Sequence, residues 1–144
     1  KEIGTYLALS LHAPNDNIRE MIMPINKKFK LKDLIAQCKF YSSIVKEKIT
    51  LEYVMLRGIN DNLECAKQLV KLMAQFPCKV NLIEFNPWPG VQYLPTERED
   101  IEKFGKVIQD AGYIATIRRS RGNDILGACG QLKTESLKKK AIQL

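Results

Sequence analysis

Cysteine and histidine are the side chains of this sequence best suited to covalent and proton-transfer chemistry. Cys129 stands between Ala128 and Gly130, and a cysteine thiolate is a strong nucleophile. Small neighbours leave room for a ligand to approach the backbone. His12 is the only histidine and follows a strand-like run. Each also has a structural explanation, Cys129 as a buried thiol and His12 as a strand-end residue with satisfied hydrogen bonds.

Four apolar, β-rich runs must position these residues, at 5–12, 49–56, 79–85 and 113–118. Their nearly continuous apolar character predicts strands covered on both faces. Amphipathic helical patterns lie between them, and this alternation predicts parallel βα units with right-handed crossovers. Because four strands are too few to close an eight-stranded barrel, an open half-barrel and a small doubly wound sheet both fit.

Three helices are predicted from apolar stripes and end signals. The stripes consist of Leu31, Leu34, Ile35, Cys38 and Val45, then Leu63, Ala66, Leu69, Val70 and Met73, then Ile101, Phe104, Val107, Ile108 and Ala111. Thr96 with Glu99 predicts a capping box for the third helix, and Gly112 a left-handed end. Asn17 is expected to start a further short helix that Pro24 ends.

Polar and aromatic residues follow the predicted strands, where parallel βα folds bind ligands. Asn86 and Trp88 follow the third strand. Trp88 fits either stacking on a base or adenosyl group, or covering the sheet end. The fourth run ends in a basic segment with Arg118, Arg119 and Arg121. These arginines fit either phosphate contact or a solvated loop.

Composition narrows the class of protein. The chain has 144 residues, 45% of them hydrophobic, and a net charge of +7. This composition is typical of a globular protein. The positive net charge indicates an anionic partner, for which RNA is the natural candidate, but it fits a merely soluble surface as well. No apolar run is long enough to span a bilayer, and no cysteines form a CxxC pair. We expect a cytoplasmic protein without membrane association.

Sequence blocks along almost the whole chain resemble the RlmN-type radical S-adenosylmethionine (SAM) RNA methyltransferases. The blocks are Ser10-Leu11-His12-Ala13-Pro14-Asn15-Asp16, Met23-Pro24-Ile25-Asn26-Lys27-Lys28, Glu52-Tyr53-Val54-Met55-Leu56, Asn81-Leu82-Ile83, Asn86-Pro87, Arg121-Gly122-Asn123-Asp124-Ile125 and Ala128-Cys129-Gly130-Gln131-Leu132. The resemblance implies an α/β fold. Residues 1–132 would form the C-terminal half of a partial (β/α) barrel with about four parallel strands, and residues 133–144 a basic tail.

The resemblance also implies an activity. Members of the family methylate C2 of an adenine in 23S rRNA and in some tRNAs, and a sister group methylates C8. The alternatives are the C8-methylating sister enzyme, a non-catalytic RNA-binding domain and a radical SAM enzyme that acts on a small molecule. The block around Cys129 argues against the last of these. The implied partners are 23S rRNA and tRNA, and we expect a monomer.

The resemblance assigns roles to individual residues. Ser10, Leu11, His12 and Asn86 match positions that bind SAM, and Cys129 matches the cysteine that carries the one-carbon unit to RNA. The implied cofactors are SAM and a [4Fe–4S] cluster, and a disulfide bond is implied in the full-length enzyme. The cluster motif CxxxCxxC and the second essential cysteine are absent from this chain. The sequence therefore predicts no metal ligands here and an isolated chain without activity.

Overall fold

A four-stranded parallel sheet organises residues 7–119, which are the residues that the computed structural model describes. The strands follow the order β1–β2–β3–β4, with bounds β1 Ala8–Ser10, β2 Ile49–Met55, β3 Cys78–Glu84 and β4 Ala115–Arg119. All three neighbouring pairs are parallel. The predicted parallel α/β sheet is confirmed, and each strand lies within one or two residues of its predicted bounds except β1, which is shorter.

Helices connect the strands and cover one face of the sheet. Their bounds are α1 Asp16–Ile22, a 3-10 helix Pro24–Lys27, α2 Leu31–Ile44, α3 Leu63–Met73 and α4 Arg98–Asp110. The main core lies between these helices and the strand residues that face them, such as Leu51, Tyr53 and Leu82, which are fully buried. Burial of this apolar area provides most of the stability of such a layer.

The predicted helix stripes are confirmed with two exceptions. Cys38 and Cys65 are buried core thiols, as predicted. Leu63 is 51% exposed because it is the first residue of α3 and its side chain projects back past the helix start. Ala111 is exposed as well, because it follows the last turn of α4.

Two predicted helix starts are wrong. The amino end of α1 is capped by Asn15, whose side chain accepts a hydrogen bond from the Ile18 amide, so Asn17 lies inside the helix. Thr96 does not cap α4, which begins after Glu97 without a side-chain cap. The Thr96 hydroxyl donates instead to Asp61 at 2.8 Å, and Glu97 takes the position before the first residue of α4. Gly112 has the predicted left-handed conformation, with a φ of +97°.

The second face of the sheet differs from the prediction of strands covered on both sides. On β3 the residues facing the helices are buried, whereas Lys79 is exposed and Asn81 half-buried. Thr50 and Glu52 of β2 pair in register with these two residues and share their face. We call this polar surface the inner face. On this face every second residue of these strand segments is polar. The sequence pattern did not show this alternation because the runs are apolar on average.

Candidate functional site

The carboxyl ends of β1 and β3 bring the sequence-predicted cofactor residues to one edge of the sheet. Segment 10–12 ends β1, and Asn86 follows β3 by two residues. Since the strands are parallel, His12, Asn86 and Trp88 lie at the same end, as predicted. Leu11 points into the main core and is 1% exposed, its amide donates to the Glu52 carbonyl, and its carbonyl accepts from Arg19.

Ser10 carries an unusual hydroxyl on the inner face. The residue is 1% exposed, and its Oγ has no hydrogen-bond partner among the residues that the structure describes. A buried polar group without a partner costs about 1–3 kcal/mol. Ser10 pairs in register with Glu52, so the hydroxyl stands beside polar neighbours. A hydrogen-bonding group supplied by a ligand would satisfy this hydroxyl.

His12 joins β1 to β2 through its side chain. Its Nδ1 accepts a hydrogen bond from the Val54 amide at 2.9 Å, and the residue is 2% exposed. An accepting Nδ1 places the proton of the neutral ring on Nε2. The backbone of His12 is left-handed, with a φ of 58°, and it is the only non-glycine residue of 7–119 with a positive φ. This conformation is uncommon outside glycine and turns the chain out of the strand.

Asn60 holds the same turn from the other side, and no pattern in the sequence predicted a role for it beyond its place after β2. The residue is fully buried. Its Nδ2 donates to the His12 carbonyl and to the Val54 carbonyl, both at 2.8 Å. Its Oδ1 accepts from the Leu56 amide at 2.8 Å. One amide side chain thus satisfies the ends of two strands and fixes the position of His12.

Arg19 on α1 fixes segment 10–12 through its backbone, and sequence reasoning missed it. The residue is 1% exposed. Its Nη2 donates to the Ser10 carbonyl and its Nε to the Leu11 carbonyl, each at 3.0 Å. Burial lowers the pKa of Arg19 to about 10 and nearby Asp16 opposes that shift, so the guanidinium stays charged at neutral pH.

A side-chain network extends this clamp to the 3-10 helix. Arg19 Nη1 donates to Asn26 Oδ1 at 2.8 Å, and Asn26 Nδ2 donates to Asp16 at 2.9 Å. Asp16 also accepts from the Leu31 amide at the start of α2. The Met23–Lys28 motif of the sequence therefore has a structural role, because its buried Asn26 anchors the arginine that holds β1.

Trp88 covers the end of the sheet, which is one of the two uses predicted for it. Its ring packs edge-on against Phe85 with 5.7 Å between centroids. Both belong to a second apolar cluster on the inner face, whose buried members are Val54, Leu56, Ile83 and Phe85. The inner face is therefore apolar near the carboxyl ends of the strands and polar toward their amino ends.

The polar half of the inner face forms an open cleft of about 630 Å³. Its lining consists of Ala8, Lys46, Glu47, Lys48, Thr50, Glu52, Lys79, Asn81 and Arg118. Arg118 lies 3.7 Å from the Glu52 carboxylate, and Arg119 lies 3.7 Å from Glu84. Both arginines thus face carboxylates, an arrangement that neither predicted use of the basic segment anticipated.

Two of the predicted functional residues lie outside the described residues. Cys129 and Arg121 lie outside 7–119. Within 7–119, no group of three or more histidine, cysteine or acidic side chains is arranged to hold a metal ion, and Cys38, Cys65 and Cys78 are free thiols. Among those same residues, no helix is long and apolar enough to cross a bilayer.

Comparison with solved structures identifies the class of fold. A radical SAM methyltransferase from Sphaerobacter thermophilus matches with a TM-score of 0.81 and 39% identity, over 91% of this chain and 38% of that one. A domain of pyruvate-formate lyase-activating enzyme from Bacteroides vulgatus matches with a TM-score of 0.61 over 78% of this chain and 66% of that one. Its 16% identity indicates the fold alone. The parallel sheet of this chain is thus similar to part of the fold of a radical SAM methyltransferase.

Sequence comparison gives the particular family. No protein-family model matches the chain. The dual-specificity RNA methyltransferase RlmN of Mesorhizobium japonicum is 56% identical over 137 residues, 94% of this chain and 33% of the relative. That of Agrobacterium fabrum is 55% identical over 136 residues, 94% of this chain and 33% of the relative. The chain corresponds to the C-terminal part of the RlmN-type methyltransferases and spans about a third of the length of the curated relatives it matches.

Proposed function

We propose that this chain is the SAM-binding and methyl-transferring part of a radical SAM enzyme that methylates C2 of an adenine in 23S rRNA, and in tRNA. The observation that supports it best is the unpartnered Ser10 hydroxyl, buried at the carboxyl edge where the family resemblance expects SAM. When bound, SAM supplies the methyl group and the radical that this chemistry requires. The same edge carries Asn86 in an exposed position.

The residues of the chain have separate tasks in this proposal. Ser10 offers its hydroxyl, the Leu11 carbonyl and the His12 ring complete the first contact segment, and Asn86 contributes an amide from the loop after β3. Arg19 and Asn60 hold that segment rigid, which lowers the entropy cost of binding. Cys129 receives the methyl group as a thiolate and carries the one-carbon unit to the adenine.

The described residues fit SAM but not the iron–sulfur cluster. They offer the unpaired Ser10 hydroxyl at the end of β1, yet no group of cluster ligands within 7–119. The sequence also lacks CxxxCxxC. Because Fe–S clusters are usually held by cysteine thiolates, the cluster of the whole enzyme needs ligands from elsewhere. The chain by itself is expected to be inactive.

A chimera tests the proposal. The segment of the Mesorhizobium japonicum relative that matches this chain is replaced by this chain, and the product is expressed in cells that lack adenine-C2 methylation. Nucleosides from digested rRNA and tRNA are then analysed by mass spectrometry. We expect 2-methyladenosine from the chimera and none from its Cys129→Ala variant.

Other outcomes point to the alternatives. If 8-methyladenosine appears instead, the chain belongs to a C8-methylating enzyme. If a stable chimera that binds RNA forms no methylated adenine, the chain is a non-catalytic RNA-binding domain and the proposal is wrong. Methylation by the Cys129→Ala chimera contradicts the assigned role of that cysteine.

A further inference from the structure

A basic surface with an exposed aromatic ring follows the 3-10 helix. Lys27, Lys28, Lys30 and Lys32 occur within six residues and flank Phe29. All five residues are exposed, and Phe29 is 49% exposed. We call residues 27–32 the 27–32 surface. About half of the Phe29 side chain faces water between these cations, where its ring can contact a ligand.

The 27–32 surface lies at the same end of the sheet as the proposed SAM site. The chain leaves β1 at its carboxyl end, and α2 begins there at Leu31 before running back to β2. A direct hydrogen-bond path links the two places. Asn26, the neighbour of Lys27, accepts from Arg19, which in turn donates to the Ser10 carbonyl. The surface is therefore held in a fixed position next to the segment that is proposed to bind SAM.

The charge of this surface is largely uncompensated. Lys30 pairs with Glu20, which also accepts a long hydrogen bond from Asn26. Within the described range, no ion pair involves Lys27, Lys28 or Lys32. The opposite end of the sheet has its own lysines, Lys46, Lys48 and Lys79, but these line the cleft together with Glu47 and Glu52.

We propose that the 27–32 surface binds the RNA substrate, with Lys27, Lys28 and Lys32 on phosphates and Phe29 stacked on an unpaired base. The inference rests on the proposed function for the substrate class and adds the place where it docks. Phosphate contacts supply affinity without sequence preference, and an aromatic ring among them stacks on bases exposed in loops. A membrane surface is less suited, because interfacial binding needs a broad apolar helix face rather than one ring.

RNA binding by the 144-residue chain tests the proposal. A fluorescent RNA hairpin with an unpaired adenine is titrated, and fluorescence anisotropy is followed at several salt concentrations. One variant replaces Lys27, Lys28 and Lys32 by Gln. The matched control replaces Lys46, Lys48 and Lys79 by Gln, which removes the same charge from exposed lysines at the other end of the sheet.

We expect the first variant to bind about a hundredfold more weakly at about 0.1 M salt, and its salt dependence to be shallower by about 2 in log–log slope, because three phosphate contacts are lost. The control should lose much less affinity and keep its slope. Phe29→Ala should weaken binding about tenfold with an unchanged slope, whereas Phe29→Trp should retain it, since stacking needs a ring and no charge.

Equal losses from the two lysine variants would show that only overall charge matters, and would overturn the proposal. So would binding of anionic lipid vesicles that depends on Phe29 while RNA binding does not. The outcome is independent of the chimera experiment. If the chimera is active but RNA affinity does not depend on residues 27–32, this inference is wrong and the proposed activity stands. If the chimera is inactive but the lysine and Phe29 variants weaken RNA binding as expected, the proposed activity is wrong and this inference stands.

Discussion

Replacement of Arg19 by Met tests whether this buried cation holds segment 10–12 in place. The guanidinium donates to three acceptors, which are the Ser10 carbonyl, the Leu11 carbonyl and the Asn26 side chain. Met fills a similar volume but donates nothing. Three buried acceptors left unpaired cost about 2 kcal/mol each. Removal of the charge recovers part of its desolvation penalty, about half of that sum.

The net loss in free energy of unfolding is therefore about 3 kcal/mol, which corresponds to a fall in Tm of about 10 °C for a domain of this size. Urea unfolding of the chain at neutral pH, followed by circular dichroism, measures it, and the m-value should not change. Arg19→Lys should recover little, because one ammonium cannot span three separate acceptors.

Arg98→Met is the matched control for this measurement. Arg98 donates hydrogen bonds to two acidic side chains, Glu84 and Glu102, but its own side chain is 57% exposed. Exposed ion pairs contribute about 1 kcal/mol or less. If Arg19→Met costs no more than Arg98→Met, then the hydrogen bonds of Arg19 do not hold segment 10–12 in place.

Two further predictions concern other buried polar groups. Asn60→Asp should cost about 3 kcal/mol at pH 7, because a carboxylate cannot donate to the His12 and Val54 carbonyls, and stability should recover as pH falls and the acid regains a proton. Urea unfolding from pH 5 to 8 measures this, and a pH-independent loss would contradict it. Burial raises the pKa of the Cys38 and Cys78 thiols to about 12. Their stabilising contribution is complete below about pH 9 and lost as pH rises toward 12, by about 1.4 kcal/mol per pH unit and thiol. Cys38→Ala should therefore flatten the alkaline loss of stability, and an unchanged slope would refute the assignment.

The sheet and its helices were predictable because their signals are local and repeated. Runs of β-branched and apolar residues predicted four parallel strands, and stripes such as that of Ile101, Phe104 and Ile108 predicted the covering helices. The error at Thr96 arose where the fold supplies a partner that is distant in sequence. Thr96 is spaced to cap α4, yet it bonds Asp61, which is close only in the folded chain.

The supporting residues of the candidate site were harder to predict for the same reason. Arg19 and Asn60 look like ordinary polar residues of a short helix and a loop. Their importance depends on carbonyls of segments 10–12 and 54–56, which only the fold brings near them. The polar inner face was not predicted either. All residues of β2 are buried, so its burial shows no alternation, and its polar residues are assigned to this face only because they pair with Lys79 and Asn81.

The hydrogen bonds around segment 10–12 share one role, which is to hold His12 in a strained backbone conformation. A left-handed backbone in a non-glycine residue costs of order 1 kcal/mol and persists only where its surroundings hold it. Here Val54 donates to the His12 ring, Asn60 holds its carbonyl, and Arg19 holds the two carbonyls before it. The turn ends β1 early and leaves the Ser10 hydroxyl buried beside the inner face. The unpaired hydroxyl and the left-handed turn both lie at the end of β1, where the hydrogen bonds of a bound ligand would offset their energetic cost.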